Sequence, residues 1–399
     1  MNVCVWGAWY GSRNVGDQAL LISLAQELCA HDPRAEITVI SKNTRHIRAY
    51  MEREGLRVRP VSKVRDFFRM VCAIRDADVF LFGGGVPFYD QWIHVGIMWF
   101  LTTLARLFKT PVVTLGVAAQ YLKDPISRAL YRRMLDRFEY VTVRDARTRE
   151  EFEKLGIERD LPVVGDVAFL MKAAASDRVD RILEEEGISP ERPLIFVVPR
   201  RITALQPFAR AHYRRLKRTD AERMLTRLAH AADRLTDFGQ VVFMPFHTLE
   251  PDNDLRMAED VIARMRHADR VNIIRRQCTP PEALGLLQRG SFLLGSRLHS
   301  IILSASAGCP CVMAAFDLKH FGIANLLGLD EYVLDLTNDH GPTPEELMER
   351  AWRNRESTRD QLNRRVATLR EEIRATLLRA IDPKFLKQAR RPVQEPQAK

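Results

Sequence analysis

Two side chains that can carry positive charge lie close together in the apolar segment GSRLHSIILSASAGCPCV, residues 295–312. Arg297 and His299 follow a predicted strand, SFLLG, and open a run of small and apolar residues that predicts a helix. A guanidinium binds a carboxylate or a phosphate through paired hydrogen bonds, and the first N–H groups of a helix add positive potential. The nearest acid along this segment is Asp317. We therefore predict an anion site at Arg297 rather than an internal ion pair.

Three further cationic or imidazole side chains follow predicted strands of the same half of the chain. Arg200 ends the run VVPR, His247 ends FMPFH, and Lys319 comes shortly after CPCVMAAF. Because ligands bind beyond the carboxyl ends of parallel strands, we predict that these side chains join Arg297 and His299 in one site. An imidazole suits proton transfer near neutral pH, so His299 can act as a general acid or bind the ligand.

The first strand–helix junction, GAWYGSRNVGDQALL, is rich in glycine but matches no standard nucleotide-binding loop. Asp17 and Gln18 stand where a phosphate-binding loop of the Walker type has Lys and Ser or Thr. The turn still exposes N–H groups at the start of a helix. Asn14 and Asp17 are suited to cap that helix and equally to contact a substrate, and Asp17 can do both.

A second glycine-rich turn, FLFGGGVPFYD, follows another predicted strand. Gly84 and Gly85 allow a close approach to the backbone. Tyr89 and Asp90 combine an aromatic face with a carboxylate, which suits a sugar ring and its hydroxyl groups. The alternative is a tight turn with aromatic side chains in the core.

These motifs lie in a regular alternation of short apolar strands and helices, which indicates parallel sheets covered on both faces. The predicted strands include EYVTVRD and LPVVGDVAFL in the first half. A charged, proline-containing segment at 172–190 predicts a boundary between two Rossmann-like domains, 1–172 and 190–345. We predict C-terminal helices over 346–382 and a poorly ordered basic tail over 383–399.

Composition sets broad limits on partners. The 399 residues are 46% hydrophobic and 28% charged, and the formal net charge of +10 favours anionic partners. Residues 200–218 carry seven Arg or Lys and no acid; this stretch is either a solvated basic surface or a guide for an anionic or lipid-linked substrate. No signal peptide or spanning segment is recognised, so we expect a cytoplasmic protein, with peripheral contact to an anionic membrane as an open alternative.

Other site types find little support in the sequence. The six cysteines are scattered, and no C-x-x-C pair or His/Cys cluster predicts a metal site. No recognisable nucleic-acid module accompanies the basic charge, so no nucleic-acid partner is expected. The oligomeric state is left open.

Taken in order, several motifs resemble one family. They are NVGDQALL, FLFGGGVPFYD, VTVRDARTREEFEKLGI, VVGDVAFL, VVPR, VVFMPFH, GSRLHSIILSASAGCP and FDLKHFGIANLLGL. This ordered set is similar to the polysaccharide pyruvyl transferase family from about Val3 to Leu336. The resemblance implies two Rossmann-like domains in a GT-B-like arrangement, phosphoenolpyruvate as donor, a pair of sugar hydroxyls as acceptor and a pyruvate ketal as product. It implies no metal or redox cofactor.

The resemblance also implies roles for individual residues. It places Arg200, Arg297 and His299 around the donor, in the second domain, and the acceptor beside the first domain. Val167 stands after Asp166 where the family often has proline, which leaves the local turn and the orientation of Asp166 open. Acceptor contacts are predicted for first-domain residues: Asn14, Asp17, Gly84, Gly85 and Tyr89. Asp17 or Asp90 is the predicted carboxylate that accepts hydroxyl protons.

Two other classes remain open. A nucleotide-sugar glycosyltransferase of GT-B type has the same architecture, although many such enzymes carry two glutamates eight residues apart in the second domain. No such pair occurs among the glutamates of this region: Glu250, Glu259, Glu282 and Glu331. A non-catalytic protein that binds polyanionic glycans would also fit the basic charge.

Overall fold

The structure is a computed structural model that describes residues 1–7, 9–120, 122–189, 191–201 and 218–389. Most of the basic stretch that we singled out at 200–218 lies outside the described residues. Its role as an electrostatic guide therefore stays a prediction. The end of the basic tail, beyond residue 389, also lies outside them.

The chain divides into two compact units. Unit 1 comprises Met1–Ser12, Leu20–Val167 and the described residues from Arg370 onward. Unit 2 comprises Arg13–Ala19 and Ala168–Leu369. The short segment Arg13–Ala19, which we had counted with the first domain, thus packs with unit 2, where it contributes to the candidate site.

Unit 1 is built on a parallel sheet. Its strands are β1 (Asn2–Trp6), β2 (Glu36–Ser41), β3 (Arg59–Ser62), β4 (Val79–Phe82), β5 (Phe88–Tyr89), β6 (Val112–Thr114) and β7 (Ala119–Gln120). The sheet order is β3-β2-β1-β4-β6, and β5 pairs separately with β7. Every residue of β4 is buried, as expected for a continuous apolar strand covered on both faces.

Two predicted strands of unit 1 are wrong. EYVTVRD and LPVVGDVAFL contribute isolated bridges, such as Val143 with Val163, and the second ends in a 3-10 helix, Val167–Leu170. Backbone hydrogen bonds pair these segments only at intervals, for example from the Val143 N–H to the Pro162 carbonyl at 2.9 Å, and threonine side chains fill the gaps. Thr114 Oγ1 donates to the Thr142 carbonyl at 2.9 Å and accepts from the Thr142 N–H at 2.8 Å. The apolar pattern identified buried segments but not how their backbone groups are paired.

Helices cover the unit 1 sheet. Their bounds are Val15–His31, Thr44–Arg53, Phe67–Arg75, Trp92–Leu107, Pro125–Leu135 and Ala146–Glu153. Local caps explain several starts: Asp124 accepts from the Ser127 N–H at 2.7 Å ahead of Pro125, and Asp145 accepts from the Thr148 N–H at 2.8 Å. The first helix begins in the segment assigned to unit 2 and continues in unit 1.

Unit 2 repeats the architecture. Its strands are β8 (Leu194–Val198), β9 (Gln240–Phe243), β10 (Val271–Ile273), β11 (Gly290–Gly295), β12 (Cys311–Ala315) and β13 (Val333–Asp335). The order is β10-β9-β8-β11-β12-β13, with parallel pairing throughout. All carboxyl ends therefore meet at one edge, and β9, β8, β11 and β12 are consecutive along it.

The helices of unit 2 connect these strands. Their bounds are Ser176–Glu185, Arg218–Leu235, Asp254–Ile262, Pro280–Arg289, Leu298–Ser306, Leu318–Leu327 and Pro344–Arg353, with 3-10 turns at Ala268–Arg270 and Asp330–Tyr332. Thr279 and Glu282 form a reciprocal capping box at the start of Pro280–Arg289. Glu282 is buried and is held by Arg178 at 2.9 Å and Arg276 at 3.0 Å.

The C-terminal region is helical, as predicted. A long helix, Arg355–Ile381, follows Pro344–Arg353. The expectation of a poorly ordered tail is wrong for its first part, because Pro383–Ala389 is a helix. Leu386 is buried there, and the Phe385 ring lies edge-on to Tyr140 at 5.2 Å, so apolar contacts hold this helix on unit 1. Among the described helices, none has the length and apolar character needed to cross a bilayer.

Candidate functional site

The strand order of unit 2 brings the sequence-predicted donor residues to one sheet edge. Arg200 follows β8, His247 follows β9, Arg297 and His299 follow β11, and Lys319 follows β12. Each lies two to four residues beyond the end of its strand. Because the four strands are neighbours, their carboxyl ends converge, which is where open parallel sheets bind ligands.

Arg297 is not the isolated cation that the sequence suggested. Its Nη2 donates to Asp254 Oδ1 at 2.6 Å and its Nε donates to Asp254 Oδ2 at 3.1 Å. Nη2 also donates to the Asp252 carbonyl at 3.0 Å, and Nη1 lies 3.5 Å from the Asp252 carboxylate. Burial alone would lower the pKa of Arg297, but the charges of Asp254 and Asp252 raise it. The inference that this arginine lacks an acidic partner was therefore wrong.

This buried pair joins two loops of unit 2. Asp254 Oδ2 accepts hydrogen bonds from the backbone N–H groups of Phe246 at 3.0 Å and His247 at 2.9 Å. His247 Nδ1 lies 3.1 Å from the Asp252 carbonyl. Arg297 thus holds the loop after β9 against the loop after β11. The geometry gives it a positioning role rather than the predicted direct contact with an anion.

His299 lies against the glycine that opens the first helix. A methyl group added at Gly16 would lie 2.8 Å from the His299 Cβ and closer still to the ring atoms Nδ1 and Cγ. The segment is fastened to unit 2 by the Val15 N–H, which donates to the Phe246 carbonyl at 3.0 Å. Asn14 Oδ1 accepts from the Gly16 N–H at 2.8 Å, so Asn14 acts as a cap. Glycine at position 16 leaves the space that the imidazole occupies.

Asp17 belongs to the same neighbourhood. It lies in the segment Arg13–Ala19 of unit 2, and its charge contributes to the raised pKa of Arg297. Gln277 Nε2 donates to the Arg13 carbonyl and adds a second fastening of this segment. The structure therefore places Asp17 in the same unit as His299, although we had assigned the two residues to different domains.

A second charged group surrounds Asp317, just after β12. Lys319 Nζ lies 3.5 Å from Asp317 Oδ2, and the Arg200 guanidinium lies 5.3 Å from the centre of the Phe316 ring. Burial alone would raise the pKa of Asp317, but the charges of Lys319, His320 and Arg200 outweigh it and lower this pKa. One carboxylate thus gathers two permanent cations at the sheet edge.

The predicted residues of unit 1 form a separate group. Gly84 and Gly85 have φ angles of +80° and +74°, a region that favours glycine. The Ala118 N–H donates to the Gly85 carbonyl at 2.8 Å, so a hydrogen bond holds the turn against the segment that contains Ala118. These observations account for both glycines as turn residues, and their contact with an acceptor stays a prediction.

Tyr89 and Asp90 are engaged within unit 1. The Tyr89 ring is buried and stacks on His94 at 4.2 Å, while the exposed Trp9 stacks on Tyr89 at 6.3 Å. Trp9, which the sequence analysis missed in AWYG, is therefore the aromatic face open to solvent. Asp90 Oδ2 accepts from the N–H groups of Lys123 at 2.5 Å and Asp124 at 2.9 Å, so this carboxylate organises a loop.

Sequence reasoning also missed Asp254, a buried acid of unit 2. Asp254 opens the helix Asp254–Ile262 in EPDNDL, a pattern that signals a helix start rather than an ion pair. Asp166 of unit 1 is fully buried, 3.9 Å from the Arg144 guanidinium. No group of three or more His, Cys, Asp or Glu side chains in the described part of the chain is arranged to hold a metal ion.

Solved structures share the fold over nearly the whole chain. A glycosyltransferase from Rickettsia africae ESF-5 is 11% identical with a TM-score of 0.61, covering 98% of this chain and 99% of that chain. A UDP-GlcNAc 2-epimerase from Neisseria meningitidis bound to UDP-GlcNAc is 10% identical with a TM-score of 0.57, covering 97% and 100%. A ugt transferase from Siraitia grosvenorii in complex with UDP is 12% identical with a TM-score of 0.57, covering 98% and 100%. These likenesses confirm the predicted GT-B-like α/β fold class, and at such identities they show the fold alone.

The family is shown by sequence. No curated protein matches the chain. The family model described as polysaccharide pyruvyl transferase matches residues 14–317, which extend from Asn14 to Asp317 and include the β8, β9 and β11 loops of the site. The chain belongs to the polysaccharide pyruvyl transferase family.

Proposed function

We propose that this protein transfers the pyruvyl group of phosphoenolpyruvate to two hydroxyls of a sugar, in a cell-surface polysaccharide or its lipid-linked precursor. The family assignment supports a transferase. The observation that carries the finer proposal is the packing of His299 against Gly16. This contact lies at the carboxyl edge of the unit 2 sheet, where Arg200 and Lys319 also lie. An imidazole beside two cations suits a donor that has a carboxylate, a phosphate and a carbon to be protonated.

The proposed reaction balances without a redox step. His299 delivers a proton to the methylene carbon of phosphoenolpyruvate, which leaves an oxocarbenium-like centre at the adjacent carbon. One sugar hydroxyl oxygen bonds to that carbon. The bond to the phosphate oxygen then breaks, and the second hydroxyl closes the ketal. Of the two hydroxyl protons, one restores His299 and the other leaves with inorganic phosphate. As proposed, the reaction uses no metal and no cofactor.

We assign the binding of the donor's negatively charged groups to the cations around Asp317. A guanidinium and an ammonium carry several N–H donors each, so Arg200 and Lys319 can keep their contacts near Asp317 and still bind an anion. Each charge-assisted hydrogen bond contributes about 1.5–3 kcal/mol. Arg297 acts behind them, because its N–H groups are directed at Asp254 and Asp252.

Hydroxyl protons require a carboxylate as acceptor. We assign this role to Asp17, because it lies in unit 2 with His299, whereas Asp90 is committed to two backbone N–H groups of its own loop. The acceptor contacts of Asn14, Gly84 and Gly85 remain part of the proposal. We place the reaction in the cytoplasm, where the donor metabolite is formed.

The proposal is tested by incubating the protein with phosphoenolpyruvate and a panel of free and lipid-linked disaccharides. Phosphate release must accompany the mass increment of one pyruvate ketal on the sugar. His299→Ala should lower the rate by about 10²–10⁴, as expected for loss of a general acid. His230→Ala is the matched control, since the His230 side chain is nearly half exposed and pairs with Glu345 at 3.0 Å. Near-normal turnover in His299→Ala would remove His299 from the mechanism.

Calorimetry separates this function from its alternatives. Heat with phosphoenolpyruvate and none with UDP-sugars supports the proposal. Heat with a UDP-sugar alone would assign the chain to nucleotide-sugar chemistry instead. Binding of polyanionic glycans that weakens steeply with salt, with no response to either donor, would indicate a non-catalytic binding protein.

A further inference from the structure

Large apolar side chains that are exposed in the described residues concentrate on two helices of unit 1 and the turn before them. Phe68 is 81% exposed, Ile93 75% and Leu107 73%. The full group is Val64, Phe67, Phe68, Trp92, Ile93, Phe100 and Leu107, which we call the apolar face. Contiguous exposed apolar surface of this kind marks interaction sites.

The helix Trp92–Leu107 carries most of the apolar face. Ile93, Phe100 and Leu107 recur every seven residues and so lie along one side of the helix, over about 21 Å. Gly96 and Thr103, which are exposed and lie between them, are uncharged. The outward side of a helix that faces only water normally carries charged residues. Within this helix the outward side carries one charged residue, Arg106, and that residue lies in the last turn.

The neighbouring helix, Phe67–Arg75, extends the apolar face. The Phe67 ring stacks on Phe100 at 6.1 Å with an interplanar angle of 28°, and Phe68 lies edge-on to Phe67 at 5.7 Å. Val64 precedes them in the connecting turn and is also exposed. Ring contacts therefore join the two helices into one continuous surface.

Positive charge borders the apolar face. Lys63, Arg65 and Arg69 lie among its first residues, where the one acid, Asp66, lies 3.9 Å from Arg69. Arg106 and Lys109 lie at its far end. The sequence has no Asp or Glu at any position from 91 to 123. An apolar surface with a basic border and few acids matches an anionic partner rather than a neutral one.

A cavity beside the same helix adds to this charge. It has a volume of about 280 Å³, and its lining includes Trp99, Arg106, Lys109 and Arg137. The Arg137 guanidinium lies 5.6 Å from the centre of the Trp99 ring. The cavity adds Arg137 to the cations at the end of the apolar face, and Glu139 is the one acid in its lining.

We propose that the apolar face docks on the surface of an anionic lipid bilayer. Phe68, Ile93 and Leu107 enter the boundary between headgroups and acyl chains, while the bordering Lys and Arg side chains contact the headgroup phosphates. A symmetric contact with a second copy would bring the same basic borders together, and such like-charge contacts are costly. The inference does not depend on the proposed reaction, although a lipid-linked acceptor would be found at that surface.

The test is sedimentation of the full chain with vesicles of phosphatidylcholine alone or with phosphatidylglycerol. We expect binding only to vesicles that contain phosphatidylglycerol, and weaker binding as salt rises. The double variant Phe68→Ser/Ile93→Ser should bind at least tenfold more weakly. Leu378→Ser, at an exposed leucine of the C-terminal helix that lies outside the apolar face, is the matched control and should bind as the parent does. Circular dichroism checks that each variant is folded.

Three outcomes would overturn the proposal. One is no binding to either kind of vesicle, and another is equal binding by the double variant and the parent. The third is a dimer in sedimentation velocity that Phe68→Ser/Ile93→Ser dissociates, which would assign the apolar face to self-association. Phosphate release with free disaccharides is measured without vesicles, so failure of docking and failure of the proposed reaction are distinguished.

Discussion

The ion pair between Arg297 and Asp254 offers the sharpest test of how the unit 2 site is built. At 2.6 Å, two unit charges attract by about 6 kcal/mol with an effective dielectric constant of 20. Desolvation offsets much of that attraction, because Arg297 is 5% exposed and Asp254 is fully buried. Removing one partner is a different matter, since it leaves the other charge buried and unpaired. Arg297→Met should therefore lower the free energy of unfolding by about 3–5 kcal/mol.

Urea unfolding, followed by circular dichroism, measures this loss. Arg297→Met/Asp254→Asn should recover part of it, because no buried charge remains and the amide oxygen still accepts from the two backbone N–H groups. Arg289→Met is the matched control. Arg289 pairs with Asp180 at 2.7 Å, but both side chains are nearly half exposed, so the loss should stay within about 1 kcal/mol.

Affinity for phosphoenolpyruvate decides between the two roles of Arg297. If Arg297 is a positioning residue, its loss lowers stability directly. It weakens donor binding only because the loop that carries His247 is displaced. If Arg297→Met proves as stable as Arg289→Met yet binds phosphoenolpyruvate at least tenfold more weakly, the reasoning from the ion pair is refuted. Arg297 would then be the direct anion ligand that the sequence suggested.

Two further predictions concern individual side chains of the two units. Gly16→Ala should lower kcat at least tenfold, with less effect on KM, because the added methyl displaces the imidazole of His299; Gly96→Ala, whose methyl meets open space, should leave both constants unchanged. Equal kcat in the two variants would contradict the proposal that the contact with Gly16 positions His299. Burial lowers the pKa of His94 to about 4, and its Nε2 lies 2.6 Å from the Pro87 carbonyl oxygen. As the pH falls, His94 binds a proton near pH 6.5 in the unfolded chain but only near pH 4 in the folded chain. The free energy of unfolding should therefore fall by up to about 3 kcal/mol between pH 6.5 and pH 4. His94→Phe should flatten the pH dependence of the urea midpoint, and an unchanged slope would contradict it.

Much of the fold was readable from local pattern. The alternation of apolar strands with helices predicted parallel sheets in two halves, because each element must bury an apolar face against a neighbour. The placement of Arg200, His247 and Lys319 just beyond strands predicted their edge of the sheet without knowledge of strand order. The pattern failed at EYVTVRD, where side-chain hydrogen bonds of Thr114 and Thr142 interrupt the backbone pairing, so that only isolated bridges form.

The candidate site depends on contacts that local pattern does not encode. Strand order sets β9, β8, β11 and β12 side by side, and only then do their loops converge. Asp254 becomes the partner of Arg297 across 43 residues of chain, and Gly16 meets His299 across a far longer separation.

Residue types, their spacing and their charge were therefore determined by the sequence itself, since helix starts and apolar periodicity act over a few residues. Tertiary packing decided which acid pairs with Arg297 and which backbone segment His299 packs against. A buried charge or ring is satisfied by whatever group the fold brings near it in space.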